Sequence, residues 1–191
     1  MSKVIWKSGT MLSPLPVVLA GCGTMDNPNV ITIAWCGIVN SDPAMAYISV
    51  RPSRHSHQLI KKSGEFTLNT VSREMVRKTD SCGVYTGAKV NKFEKFSLTP
   101  RTSSQISAPM VEESPLCLEC KVTQVISLGS HDLFLAHIVA VQVEDKLINE
   151  EGKLQLGKAH LVAYSHGDYM ELGKKIGSFG FSVKKKDGKG K

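Results

Sequence analysis

A chain of 191 residues with 41% hydrophobic and 21% charged content has the size and balance of one globular domain with a dry core, which excludes a disordered protein. It has no run of about 18 apolar residues, and its opening MSKVIWKSGTM lacks the apolar stretch of a signal peptide, so a cytoplasmic protein without membrane spans is expected. The net charge of +7 is no nucleic-acid signature: five lysines and one aspartate in residues 184–191 supply +4 of it. That segment reads as a basic, disordered tail after a single domain over residues 1–183, and no RNA-recognition motif accompanies it.

In chain order, most of the sequence reads as short strands. PVVLAGCG is apolar and ends in turn glycines, NVITIAWCGIV is rich in β-branched residues and stops at NSDP, and AMAYISVR alternates before Pro52. A helix over HQLIKKS follows, capped by Ser53 or Ser56 and stopped by Gly64. Next come strand FTLNTV, a helix over REMVRKTDS capped by Ser72 and stopped by Gly83, and a turn or two of helix at NKFEKF. LECKVTQVISL, the long DLFLAHIVAVQVED and AHLVAYS complete the strands. Regularly spaced strands with few helices predict a mainly β barrel. No βαβ alternation, GxGxxG after a strand or Walker loop is present, which disfavours a Rossmann or P-loop site.

Five cysteines, an odd count, argue against a disulfide framework. CLEC, residues 117–120, has the spacing of a metal or redox pair. It lacks a second pair, and residues three apart on a strand face opposite sides, so both cysteines read as strand residues.

The stretch RPSRHSHQL, residues 51–59, lies between a strand and a helix. Helix N–H groups there, with Arg51, Arg54, Ser53 and Ser56, suit a phosphate. A plain solvated helix cap suits the same residues, and a metal site would need His55 and His57, two residues apart with no carboxylate near. In the preceding strand Thr32, Ala34 and Cys36 are expected on one face and Ile31, Ile33 and Trp35 on the other. A planar cofactor could lie against it under Trp35, although an ordinary core strand reads the same way. His131 falls in a turn before a long strand, where it could serve a redox ring or simply face solvent; His137 and His160 fall within predicted strands as structural residues. No Ser-His-Asp set, HExxH or carboxylate pair supports acyl transfer or metal-assisted hydrolysis.

The segments SPLPVVLAGCGTMDNPNVITIAWCGIVNSDPAMAYISVRPSRHSHQLI, GEFTLNTV, NKF, GSHDLFLAHIVAV and HGDYMELGKKIGSFG, spanning roughly residues 10 to 181, resemble the flavin reductase-like, FMN-binding split-barrel family, most closely its flavoredoxin branch. The resemblance implies a Greek-key-like split barrel, non-covalent FMN, and a homodimer whose partner helps wall the site. It matches Asn29, Thr32, Ile33, Ala34 and Trp35 to the strand beside the ring and ribityl chain. Ser49, Val50, Arg51, Arg54 and Ser56 match the phosphate and ribityl segment. Lys92 matches a position reaching the flavin, His131 the catalytic histidine near the ring, and Tyr164 an aromatic that approaches it. Ser130 stands where many reductases of the family carry aspartate, and Ala136-His137 where glycine is usual.

The implied function is an oxidoreductase that passes electrons from NAD(P)H or a reduced protein to flavin, a ferric chelate or another redox partner. The alternative is an FMN-binding electron carrier without NAD(P)H activity of its own. Neither implies a metal, a specific nucleic acid or a membrane.

Overall fold

The computed structural model describes residues 1–183, and the basic segment 184–191 lies outside the described residues. Strands β1 (Leu15–Pro16), β2 (Val18–Thr24), β3 (Asn27–Ile33), β4 (Cys36–Ser41) and β5 (Ala44–Val50) lead into helix α1 (His55–Ser63). After β6 (Glu65–Thr70) come a 3-10 turn (Arg73–Met75) and helices α2 (Val76–Val84) and α3 (Lys92–Lys95). The short β7 (Pro100–Arg101) and β8 (Met110–Val111) precede two 12-residue strands, β9 (Leu116–Ser127) and β10 (Asp132–Val143), and the hairpin β11 (Val162–Ser165) and β12 (Asp168–Glu171) follows.

Seven strands form an antiparallel sheet in the order β3-β2-β6-β9-β10-β5-β4. Its two edge strands are consecutive in the chain, joined only by Ala34 and Trp35. Three Cα steps span at most about 11 Å, so the sheet must roll until its edges meet there. The Ser49 N–H donates to the Trp35 carbonyl at 2.9 Å and ties β5 to the corner. Register shifts in the β9–β10 ribbon, between Leu135 and Ala136 and between Ile138 and Ala140, supply the bend. The result is a barrel split between β3 and β4.

Side-chain alternation divides the core in two. Val18, Ala20 and Cys22 of β2 and Ile31 and Ile33 of β3 fill the barrel with Ile48, Phe66 and Phe134, and Ile60 enters from α1. Leu19 and Val30 point the other way, against Cys82 of α2, Phe93 of α3 and Val162 of β11.

Several expectations change on folding. NVITIAWCGIV is two strands, because the chain crosses from one sheet edge to the other at Ala34–Trp35. Cys36 therefore joins Ile31 and Ile33 in the barrel interior instead of sharing a face with Thr32 and Ala34. Neither Ser53 nor Ser56 caps α1: Arg54 is the N-cap residue without a side-chain bond, and Ser56 is buried inside the first turn. Gly64 does end α1, in the left-handed conformation. Ser72 makes no side-chain cap, and α2 runs through Gly83. A Cβ on Gly83 would come within 3.3 Å of the Thr32 Cβ, so this glycine permits close packing on β3 rather than a stop. His160 sits in a left-handed turn before β11, not within it.

CLEC is explained by its glutamate. Cys117 and Cys120 face opposite sides of β9 as free thiols, and burial pushes Cys120 up to about 12. Between them the buried Glu119 carboxylate accepts from the Ser104 N–H at 2.8 Å, the Ser104 hydroxyl at 2.9 Å, the Gln105 N–H at 2.7 Å and the Gln142 amide at 2.7 Å. Burial opposes its ionisation, but these bonds outweigh it and hold the carboxyl below its usual range. Glu119→Gln is expected to cost about 2 kcal/mol or more, because an amide cannot accept all four bonds. Urea unfolding measures the loss.

Candidate functional site

The corner at Ala34–Trp35 opens a trough of about 390 Å³. Its walls are the end of β3 and the corner (Ile31, Thr32, Ile33, Ala34, Trp35), the end of β5 and the turn after it (Ser49, Val50, Arg51), Arg54, His131 and Tyr164. Ile33 contributes backbone, since its side chain belongs to the barrel core. A smaller pocket of about 130 Å³ shares Ile31 and Arg54 with the trough. The α1 N-terminus (Ser53, Arg54, His55, Ser56), Gly83, Lys92 and the loop Tyr85, Thr86 and Gly87 enclose it.

This pocket is cationic by construction. Lys92 is only 2% exposed, and its ammonium donates to the Val30 carbonyl at 2.8 Å and the Cys82 carbonyl at 2.6 Å. No carboxylate pairs with it among the described residues. Burial, with the Arg54 charge adding to it, pulls the Lys92 amine below its ordinary value against the pull of Cys82 and Cys22. A buried cation beside a helix N-terminus is an arrangement that an anion would stabilise.

Asn29 stands one residue behind the pocket. Its amide donates to the Ser56 hydroxyl oxygen at 2.8 Å and the Cys22 sulfur at 3.2 Å, which leaves the Ser56 proton free to donate. Of the thirteen residues that the family resemblance assigns to the site, ten line the trough, Ser56 and Lys92 line the pocket that Arg54 joins to it, and Asn29 supports Ser56. Lys92 faces the pocket rather than the trough.

At the far end of the trough the Trp35 and His131 rings lie 4.7 Å apart, tilted by 39°. The Ser130 hydroxyl bonds His131 Nδ1 at 2.9 Å, leaving Nε2 without a partner among the described residues. Burial and then the Arg51 charge hold the His131 imidazole below its usual value, so it is neutral near pH 7.

Sequence reasoning missed two features. Thr86 and Gly87 close the small pocket, and a Cβ on Gly87 would run into the Asn29 amide and within 3.1 Å of His55. A Thr-Gly turn just before NKF was the available signal. The second feature is a buried hydrogen-bonded pair: His57 Nε2 meets Asp132 Oδ2 at 2.8 Å, with the imidazole edge-on to Phe134. His57 therefore has a structural partner. It pins the first turn of α1 to the first residue of β10, next to His131, and nothing in the sequence signals a pair 75 positions apart. His55 turns instead to the pocket wall, and no group of three His, Cys, Asp or Glu side chains could hold a metal among the described residues.

The model of the flavin reductase like domain family matches residues 10–173. The chain belongs to that family. Among flavin reductase-like structures, the flavoredoxin of Desulfovibrio vulgaris superposes with a TM-score of 0.89 at 28% identity, covering 96% of this chain and all of that one. The flavoredoxin of Methanosarcina acetivorans gives 0.85 at 26% identity, covering 96% of this chain and all of that one. An uncharacterised protein of Archaeoglobus fulgidus is 32% identical over 125 residues, 65% of this chain and 70% of its own length.

The His57 hydrogen bond is the main cause, ahead of Ser127, that holds Asp132 below the usual aspartate value of 3.8. Its folded pKa is thus depressed, so its contribution to stability is complete above that value and is lost as pH falls through the lower one. Urea midpoints from about pH 6 down to about pH 2 are expected to fall more steeply in the wild type than in Asp132→Asn.

Proposed function

We propose that this chain binds FMN non-covalently and is an oxidoreductase that passes electrons from NAD(P)H or a reduced protein to free flavin, a ferric chelate or another redox partner. The single observation that carries this reading is the joined pair of cavities, a cationic pocket with an unpaired buried lysine opening into a trough walled by strand backbone and aromatic rings. That asymmetry fits a molecule with a phosphate at one end and a planar ring at the other. Family membership supports it.

Lys92, Arg54, the Ser56 hydroxyl and the α1 N–H groups would hold the phosphate, whose charge compensates the buried ammonium. Ser49 and Arg51 would meet the ribityl chain. Backbone groups from Ile31 to Trp35 would read the polar edge of the ring, with Trp35 and Tyr164 beside it. Bound FMN supplies reversible two-electron transfer; this chain supplies orientation and exclusion of water. His131, fixed through Nδ1 by Ser130, presents Nε2 to a donor or substrate at the open side of the trough. Lys92, held by two carbonyls in the smaller pocket, serves the phosphate rather than charge on the ring.

A second reading, an electron carrier without NAD(P)H activity, draws on Ser130 standing where many reductases of the family carry aspartate. The working form is a homodimer, a reading supported by the apolar Ile38 and Val39 on β4 and Val139 and Val141 on β10, all exposed. No helix among the described residues is long and apolar enough to cross a membrane, and five free thiols suit the reducing cytoplasm.

Purified protein is expected to be yellow, and anaerobic addition of NADH or NADPH to bleach the flavin. A yellow protein that neither nucleotide bleaches is the carrier; one that takes up no FMN sinks both readings. Arg54→Ala and Ser56→Ala are each expected to weaken FMN binding by about tenfold or more, as loss of a hydrogen bond to a charged group does. Fluorescence titration checks this. His131→Ala is expected to slow bleaching; unchanged flavin affinity and unchanged turnover together remove its proposed role.

A further inference from the structure

A third cavity, of about 260 Å³, lies between β3, α2 and the β11–β12 hairpin. The flavin does not need it, since the trough and the cationic pocket together already reach the size of ordinary small-molecule sites. Thr32, Ala34 and Tyr164 are walls of both this cavity and the trough, so an occupant would lie against the same side chains as the flavin.

The remaining wall has two chemical characters. Tyr169 packs edge-on against Tyr164, ring centroids 5.4 Å apart, and Val17 and Val84 add apolar surface, a lining that suits a planar ring. Asp80 is the single charged residue of the lining. Its Oδ1 accepts from the Tyr169 hydroxyl at 3.2 Å, and no ion pair neutralises it among the described residues. A carboxylate has room for several further bonds. Burial, then the Asp80 charge, pushes the Tyr169 phenol up to about 12, so it stays protonated and keeps donating.

The sign of that charge selects the ligand. A carboxylate or phosphate is repelled, whereas an O–H, N–H or cationic group gains a charge-assisted bond. Resting on the flavin reading above, we propose that this cavity is a second binding site, for a neutral or cationic planar ring bearing an O–H or N–H donor that Asp80 anchors beside the flavin. Tyr164 and Tyr169 form the aromatic wall, and Thr32 and Ala34 are the partition shared with the trough.

Two redox-inert rings test the idea: resorcinol, which carries two O–H donors, and 1,3-dimethoxybenzene, which carries none. Each is titrated by calorimetry and NMR into the flavin-free and the FMN-loaded protein. Resorcinol is expected to bind both forms about tenfold more tightly than the ether, with shifts at Tyr164 and Tyr169. Asp80→Ala should bring the two rings within about twofold of each other while FMN affinity stays at the wild-type value. Tyr169→Phe, which frees both carboxylate oxygens, should keep the preference for resorcinol. Equal affinities in the wild type, or an unchanged preference in Asp80→Ala, overturn the proposal. So does loss of resorcinol binding on loading with FMN, because the ring then competes for the trough. A chain that binds resorcinol at Asp80 yet takes up no FMN overturns the flavin reading instead.

Discussion

Two residues, Ala34 and Trp35, join the opposite edges of a seven-stranded sheet, and the rest of the structure follows from that short connection. A flat sheet would hold its edge strands tens of ångströms apart, since neighbours lie about 4.8 Å apart. A link of three Cα steps therefore forces the barrel. The same link makes the corner where the trough opens, because β3 and β4 diverge there and leave backbone groups without a ladder partner. Closure and cavity have one cause.

Around that corner the charges are separated. At one end a buried ammonium and an arginine meet a helix N-terminus, and among the described residues no carboxylate balances them. Such an arrangement is costly in an empty protein and is relieved by an anion. Across the β3 partition the only charge is a carboxylate, Asp80, among tyrosines. Neighbouring cavities of opposite sign discourage a single ligand from taking either position and give each its own selectivity.

The site is held by contacts remote from it in sequence. The His57–Asp132 pair fixes the start of α1 against the start of β10, so Arg54 and His131 keep their separation. Asn29 orients Ser56 from behind, and Gly87 lets the loop close on Asn29 without a side chain in the way. The supporting groups His57, Asp132 and Asn29 stand behind the cavity walls; they make the geometry of the lining residues reproducible.

Much was legible in the residues themselves. Alternating apolar runs specify the strands β2, β5, β6, β9 and β10, and the Arg-Ser-rich turn after β5 marks a helix start rich in cationic and hydroxyl groups, because strand period and helix polarity are local properties of a chain. Order along the chain also carried the family likeness, and with it the residues that line the trough. What the residues could not express was anything depending on closure. The break at Ala34–Trp35 looks like one continuous strand, Ser72 looks like a helix cap and Gly83 like a helix stop, and His57 shows no partner, since each takes its role from a residue on another element. Sequence by itself determined which segments could be strands and which end of the site would be cationic. Only the tertiary structure decided where the sheet closes, which side chains share a wall and which buried charges find a partner, because those are set by through-space distances that rolling the sheet creates.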